Sequence, residues 1–173
     1  GKVFTSIGES QIVVTLDDQS ESEFLFTIVD TIDPTFDEIV DQTIEAGSLA
    51  VDWTTLIINE QDNSNGLLTK VVLEDNVIYD KVDKYLVTVK LLDESGNATS
   101  QKFYVNIIDT TAPTFDEIVD QTIEAGSLAI DWTTLIINEQ DNSDGLLTKV
   151  VIEDSVVYDK VGKYLVTVKL LDE

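Results

Sequence analysis

Carboxylates are the side chains of this sequence that are best suited to chemistry. The 173 residues include 34 Asp and Glu but no His and no Cys. The commonest general base and the thiolate nucleophile are therefore missing. Two kinds of chemistry remain open to carboxylates. A pair of them can hydrolyse a glycosidic bond, and a group of them supplies the hard oxygen ligands that Ca²⁺ requires.

The repetitive character of the sequence argues against catalysis. Residues 31–94 and 110–173 align without a gap at an offset of 79 and differ at 8 of 64 positions. A carboxylate pair would thus be present in several near-identical copies, and such arrays generally do mechanical or spacing work. The sequence also contains no glycine-rich phosphate loop and no metal-hydrolase motif. We predict that the protein is not an enzyme.

The net charge of −24 limits the partners that the chain can have. Nucleic acid and anionic membrane surfaces would repel it, so we predict that it binds neither. No stretch of the sequence is apolar over the roughly 18 residues that a membrane helix needs, which predicts no direct membrane insertion. Divalent cations or high salt would offset the repulsion between the carboxylates. Alternatively, the charge only keeps a long exposed protein soluble.

The repeat also fixes the predicted domain organisation. Phe24, Phe26 and Ile28 match Phe103, Val105 and Ile107 at the same offset. Further upstream, a match at an offset of 75 relates Phe4, Ile7, Gly8, Ile12, Val14 and Leu16 to Tyr79, Val82, Asp83, Val87, Val89 and Leu91. We therefore divide the chain into the C-terminal part of one repeat (1–30), a complete middle repeat (31–109) and a third repeat that lacks its last strand (110–173).

The third repeat raises the question of what completes it. A sandwich without its last strand exposes an unpaired edge and part of its core. Either the natural protein continues beyond this sequence, or another chain supplies the strand. Near-identical neighbours are prone to exchange strands, so both alternatives stay open.

Alternation of apolar residues predicts that the repeats are built from strands. Tyr85, Val87, Val89 and Leu91 alternate with their neighbours with a period of two, and Phe103, Val105 and Ile107 do the same. Turn-forming residues separate these runs at 62–66 and 93–97. Short, regularly spaced strands in a unit of about 80 residues are typical of an antiparallel β-sandwich.

Four segments of the sequence resemble the tandem immunoglobulin-like repeats of bacterial surface and adhesin-type proteins. They are the linker Asp109–Pro113, the turn and strand Asp141–Thr148, the segment Gly162–Tyr164 before an alternating strand, and the loop Leu92–Asn97. The resemblance implies an all-β fold of tandem immunoglobulin-like antiparallel β-sandwich domains. It also implies a stalk or spacer role in an extracellular protein, whether attached to the cell surface or secreted, with neighbouring repeats as partners.

The topology of such repeats implies a calcium site at each domain junction. The incoming linker, the loop between the second and third strands, and the last loop all meet at the N-terminal end of a repeat. Clustered carboxylates there would be costly without a cation. The candidate ligands are Asp30, Asp33, Asp62, Asp93 and Glu94 in the middle repeat, and Asp109, Asp141, Asp144, Asp172 and Glu173 in the third. The alternative is that these residues are ordinary turn formers in solvated loops.

Aromatic residues separate the remaining hypotheses. We expect Trp53 and Trp132 to be buried, and Tyr85 and Tyr164 to bond to upstream backbone as in a tyrosine corner. Besides the spacer role, the chain could be a subunit of an extracellular filament or surface layer, which is a homopolymer joined by strand exchange. It could also be a carbohydrate- or protein-binding module. That last reading predicts exposed aromatic residues, with Tyr79, Tyr104 and Tyr158 as candidates.

Overall fold

The computed structural model describes residues 8–15 and 21–172 and is all-β, as predicted. The described residues form eight strands and two 3-10 helical turns, and no α-helix. None of their helical segments is long and apolar enough to cross a membrane. The strands are β1 (Gly8–Thr15), β2 (Glu21–Ile28), β3 (Gln42–Glu45), β4 (Thr69–Asp75), β5 (Asp83–Leu92), β6 (Ala98–Ile108), β7 (Thr148–Asp154) and β8 (Val166–Leu171). The 3-10 turns span Trp53–Leu56 and Trp132–Leu135.

The strands pair in three sheets. β1 and β2 form an antiparallel hairpin, in which Gly8 lies opposite Ile28. The middle repeat contributes a four-stranded sheet in the order β3-β6-β5-β4, and the third repeat contributes the antiparallel pair β7-β8. Such antiparallel sheets agree with the predicted β-sandwich class. The predicted repeat boundaries after residues 30 and 109 stay a prediction.

Alternation in β5 and β6 builds the core of the middle repeat. Val87, Val89 and Leu91 are fully buried, and Phe103, Val105 and Ile107 on β6 are at most 2% exposed. Trp53 is 2% exposed, and its ring meets that of Phe103 edge-on with centroids 5.6 Å apart. Such aromatic contacts add to the free energy gained by burying apolar surface. The predicted burial of Trp53 and of Trp132, which is 6% exposed, is confirmed.

The third repeat reproduces local details of the middle one. The register of β4 against β5 shifts between Val72 and Glu74, and that of β7 against β8 shifts between Val151 and Glu153. The indole of Trp53 donates to Asp75 at 3.0 Å, and that of Trp132 donates to Asp154 at 3.1 Å. The hydroxyl of Tyr164 donates to the carbonyl of Lys160 at 2.8 Å, as a tyrosine corner requires.

Contacts divide the chain into two compact units. Among the described residues, the first comprises 8–15, 21–42, 51–77 and 85–105, and the second comprises 43–50, 78–84 and 106–172. The second unit therefore joins one end of the middle repeat to the whole third repeat.

Candidate metal centre

One aspartate of the linker and two aspartates of the middle repeat come together within the first unit. Asp30 follows β2, Asp62 lies in the loop before β4, and Asp93 lies in the turn between β5 and β6. One carboxylate oxygen from each of the three lies within 4.8 Å of the others. These segments are the linker and the two loops in which the sequence predicts calcium ligands, and they are far apart along the chain.

Local hydrogen bonds hold each of these carboxylates in place. Asp30 accepts from the backbone N–H of Ile32 at 3.1 Å. Asp62 accepts from the hydroxyl of Ser64 at 2.5 Å and from its backbone N–H at 3.2 Å. Asp93 accepts from the backbone N–H of Asn97 and from its side-chain amide, both at 2.8 Å. The same three aspartates thus stabilise turns and also form the cluster, so the two predicted roles are compatible.

Two carboxylate oxygens of this cluster are buried and lack a hydrogen-bond donor. They are Oδ2 of Asp30 and Oδ1 of Asp62. Asp30 is only 8% exposed and Asp93 only 4%. A buried carboxylate oxygen without a donor is costly, and adjacent negative charges add to the cost. A hard cation would compensate both, so the residues present fit Ca²⁺.

The third repeat contains the same arrangement in the second unit. Oxygens of Asp109, Asp141 and Asp172 lie within 4.8 Å of one another. Asp109 accepts from the backbone N–H of Thr111 at 3.0 Å, and Asp141 accepts from the hydroxyl of Ser143 at 2.8 Å. Here too the second oxygen of each, Oδ2 of Asp109 and Oδ1 of Asp141, is buried without a donor.

A local hydrogen bond also keeps Asp30 ionised. The backbone N–H of Ile32, which donates to Asp30, is the main cause that holds the pKa of Asp30 below its usual value. Burial opposes this shift. A carboxylate that stays charged is the form that binds a cation.

Other predicted ligands lie outside the two clusters. Asp33 accepts from the backbone N–H of Ala98 at 3.1 Å, and the backbone N–H of Asp144 donates to the carbonyl of Asp80 at 2.6 Å. The carboxylate of Glu94 lies beside Gly66, where an added Cβ would come within 3.2 Å of Oε2. Glu173 lies outside the described residues.

Residues that orient the carboxylates were missed by the sequence reasoning. Ser64, Ser143 and Asn97 each lie two or four positions after the aspartate that they contact. An Asp followed at that spacing by Ser or Asn is a turn signal, so the pattern is visible in the sequence. By itself the pattern indicates only a turn, and the support that it gives to ligands is evident only in the structure.

The exposed aromatic residues expected of a binding module are fewer than predicted. Tyr104 is 42% exposed, but Tyr79 and Tyr158 are half-buried. The hydroxyl of Tyr158 accepts from the backbone N–H of Ile130 at 3.1 Å, and so this side chain supports the chain segment before the second 3-10 turn. Of the three candidates, Tyr104 alone keeps the exposure that a stacking platform needs.

Part of the chain is similar in sequence to a bacterial surface adhesin. Over 123 residues it is 32% identical to the serine-rich adhesin for platelets of Staphylococcus aureus strains MRSA252, USA300 and N315. The match covers 64% of this chain but only 9% of the MRSA252 protein and 5% of the other two. No protein-family model matches the sequence. This chain is therefore an all-β segment similar to part of a cell-surface adhesin.

The relatives bear on two further predictions. They are adhesins and not enzymes, which agrees with the predicted lack of catalysis. An adhesin relative also supports the predicted cell-surface location.

Proposed function

We propose that this chain forms stalk repeats of an adhesin-like protein that is exposed on a bacterial surface or secreted, and that Ca²⁺ at the two aspartate clusters stiffens the repeats. The immunoglobulin-like character of the repeats is part of this proposal. Similarity to a surface adhesin, the near-identity of the repeats and the all-β fold support it. Near-identical repeats suit a spacer, because adding or removing one changes length without changing chemistry.

The recurrence of one carboxylate cluster in two repeats is the observation that carries the calcium proposal. In each cluster one aspartate belongs to the linker, and the other two belong to the repeat that follows it. A bound cation would therefore tie the linker to the body of the repeat. Because Ca²⁺ favours six to eight oxygen ligands, backbone carbonyls and water would complete its shell.

Binding of calcium to the folded chain should raise its stability. At a free concentration of about 100 times Kd, one site contributes about 2.7 kcal/mol. We would titrate Ca²⁺ by calorimetry and follow the thermal unfolding of the chain in parallel. We expect two sites in the chain and a Tm that rises with calcium concentration.

The test variant removes one charge from each cluster through Asp62→Asn and Asp141→Asn. The matched control is Glu38→Gln with Glu117→Gln, two exposed acids at equivalent positions outside the clusters. We expect calcium binding and the rise in Tm to be lost in the first variant and kept in the second. Equal calcium responses of both variants, or no response of the parent chain, would contradict the cation proposal.

A filament joined by strand exchange is the second candidate, because near-identical neighbouring repeats are prone to exchange strands. Light scattering at increasing protein concentration tests the idea. Growth of the mass with concentration supports exchange, and a monomer at every concentration excludes it.

A further inference from the structure

The loop that carries Asp62 contains a pair of residues that can react with each other. The middle repeat has Asn65 followed by Gly66, where the third repeat has Asp144 followed by Gly145. No other asparagine of the sequence precedes a glycine. In an Asn-Gly pair the backbone nitrogen of the second residue reaches the side-chain amide of the first with little hindrance, because glycine has no Cβ.

The side chain at this position is exposed in both repeats. Asn65 lies in the loop before β4 and is exposed to solvent. Its counterpart Asp144 is also exposed, although its backbone N–H donates to the carbonyl of Asp80 in the middle repeat at 2.6 Å. Contact between neighbouring repeats therefore leaves the side chain at this position accessible to water.

The backbone nitrogen of the glycine is available as well. Within the part of the chain that the structure describes, neither the N–H of Gly66 nor the side-chain amide of Asn65 makes a hydrogen bond. The equivalent N–H of Gly145 makes only a long one, to the hydroxyl of Ser143 at 3.4 Å. A loop segment with so few hydrogen bonds rearranges at little cost in free energy, so the two groups of Asn65 and Gly66 can meet.

Other asparagines of the chain are held by their side-chain amides. These amides donate at 2.6–2.8 Å, in the pairs Asn59 with Asp37, Asn97 with Asp93, Asn138 with Asp116, and Asn142 with the carbonyl of Ala46. Each of these asparagines also precedes a residue that has a Cβ. Their amides are therefore both restrained and hindered, and Asn65 should react first.

We propose that Asn65 is a site of spontaneous deamidation. The backbone nitrogen of Gly66 loses its proton to water or hydroxide and forms a bond to Cγ of Asn65. The bond between Cγ and Nδ2 breaks, and Nδ2 takes up a proton and leaves as ammonia, so that a cyclic imide remains. One water molecule then opens the ring. In sum, the chain consumes one water and releases one ammonia, and a neutral side chain becomes a carboxylate.

The two directions of ring opening have different consequences for the loop. If water attacks the side-chain carbonyl, the product is aspartate, and the loop 62–66 then has the same sequence as the loop 141–145 of the third repeat. Because the third repeat folds with that sequence, this product should keep the stability of the parent chain. If water attacks the backbone carbonyl, the product is isoaspartate, which adds one carbon to the main chain before Gly66. The reaction requires no cation, so this proposal is independent of calcium binding.

Incubation of the full chain in mildly alkaline buffer tests the proposal. Mass spectrometry of the intact chain follows the conversion of an amide to a carboxyl group, and peptide mapping with backbone fragmentation locates it and separates aspartate from isoaspartate. We expect both products at Asn65 and a rate that rises with pH, because the attacking nitrogen must lose a proton. A synthetic peptide of residues 61–70 serves as the benchmark for the conditions.

Three variants test the roles of the two residues. Gly66→Ala adds a Cβ that would lie 3.2 Å from Oε2 of Glu94, the end of a flexible side chain, and it should remain unmodified over the interval in which the parent chain reacts. Asn65→Asp should release no ammonia. Asp144→Asn creates the same pair at the equivalent exposed position, and it should add a second site of deamidation in the third repeat.

The outcomes decide the matter in both directions. Conversion at Asn65 that is lost in Gly66→Ala and gained at the second position in Asp144→Asn supports the proposal. A parent chain of unchanged mass, under conditions that convert the peptide, overturns it, because the folded loop would then prevent the reaction. Conversion that occurs first at another asparagine, or at the same rate in Gly66→Ala, also overturns it.

Discussion

Aspartates 30, 62, 109 and 141 each divide their two carboxylate oxygens between two tasks. One oxygen accepts a hydrogen bond from a residue two positions later, and the other is buried without a donor. Each side chain is thereby oriented before any cation arrives. A ligand that is oriented in advance loses less conformational entropy on binding, which favours affinity.

Asp62→Asn should change the stability in opposite directions with and without calcium. Without calcium, the substitution removes a negative charge from a cluster of three, and unfolding should cost about 1 kcal/mol more. With calcium, it removes a charged ligand and should lower the Tm relative to the parent chain. Thermal unfolding in chelator and in calcium measures both effects. A decrease in Tm both in chelator and in calcium would show that Asp62 acts only as a turn former.

Substitution of Trp53 tests the assignment of the core of the middle repeat. Trp53→Ala removes a buried ring, its contact with Phe103 and the hydrogen bond to Asp75. We expect a loss of about 3–5 kcal/mol in the free energy of unfolding, measured by urea denaturation followed by circular dichroism. Tyr104→Ala, at an exposed aromatic residue, should change it by less than about 0.5 kcal/mol. Similar losses in both variants would contradict the assignment of the core.

The sequence predicted all six cluster residues, but it also predicted ligands that lie outside the clusters. Asp30, Asp62 and Asp93 share a cluster, whereas Asp33 and Glu94, their close neighbours in the chain, contact backbone atoms or Gly66 instead. The direction of each side chain depends on the dihedral angles of its turn. Residue type and spacing leave those angles undetermined for Asp and Asn, which adopt several turn conformations.

Strands were the elements that the sequence predicted best, because burial of alternate residues leaves a period of two. β5 and β6 contain the alternating residues that begin at Tyr85 and at Phe103. The 3-10 turns at Trp53 and Trp132 were not predicted, since a single turn of four residues has no period to detect. Their start is marked only by Asp52 and Asp131, which accept from the backbone two residues later.

The turn at Trp53 should weaken when its cap is removed. Asp52 accepts from the hydroxyl of Thr54 at 2.7 Å and from its backbone N–H at 3.0 Å. Asp52→Ala leaves these donors to water and should lower the Tm by a few degrees, less than Trp53→Ala does. Asp52→Asn keeps an acceptor and should restore most of the loss. Equal Tm values for the parent chain and the alanine variant would exclude a capping role.

The carboxylate of Glu45, at the end of β3, gives its contact with the linker a defined dependence on pH. Hydrogen bonds hold the pKa of Glu45 below its ordinary value, first that from the backbone N–H of Thr110 and then those from the Thr111 and Thr110 hydroxyls. Because the folded pKa is lowered, the stabilisation is fully present above the ordinary pKa of glutamate, about 4.3. It is lost as the pH falls through the lowered value.

Amide hydrogen exchange measures this dependence at the junction. Protection of the Thr110 N–H, corrected for the intrinsic exchange rate, should hold at neutral pH and decrease once Glu45 is protonated. In Glu45→Gln, the protection of the Thr110 N–H should be weak at every pH, because the glutamine side chain does not titrate. Glu124→Gln serves as the matched control and should behave as the parent chain does. Identical protection profiles in the parent chain and Glu45→Gln would contradict a role for the carboxylate.

For the whole molecule, the internal repeat predicts more of the structure than any single site does. Eight differences in 64 positions leave both aspartate clusters intact. The internal repeat therefore predicted both clusters as soon as one was proposed. It could not predict the contact of Asn142 with Glu45, which depends on two repeats meeting and has no signature within either one.

Small-angle X-ray scattering of the chain with and without calcium tests whether a bound cation stiffens the repeats. We predict that Ca²⁺ reduces the flexibility seen in the scattering profile, and that Asp62→Asn with Asp141→Asn abolishes the change. The control Glu38→Gln with Glu117→Gln should respond as the parent chain does. If the profile of the parent chain is the same in calcium and in chelator, the aspartate clusters are turn formers with solubilising charge, and the stalk is not stiffened by a cation.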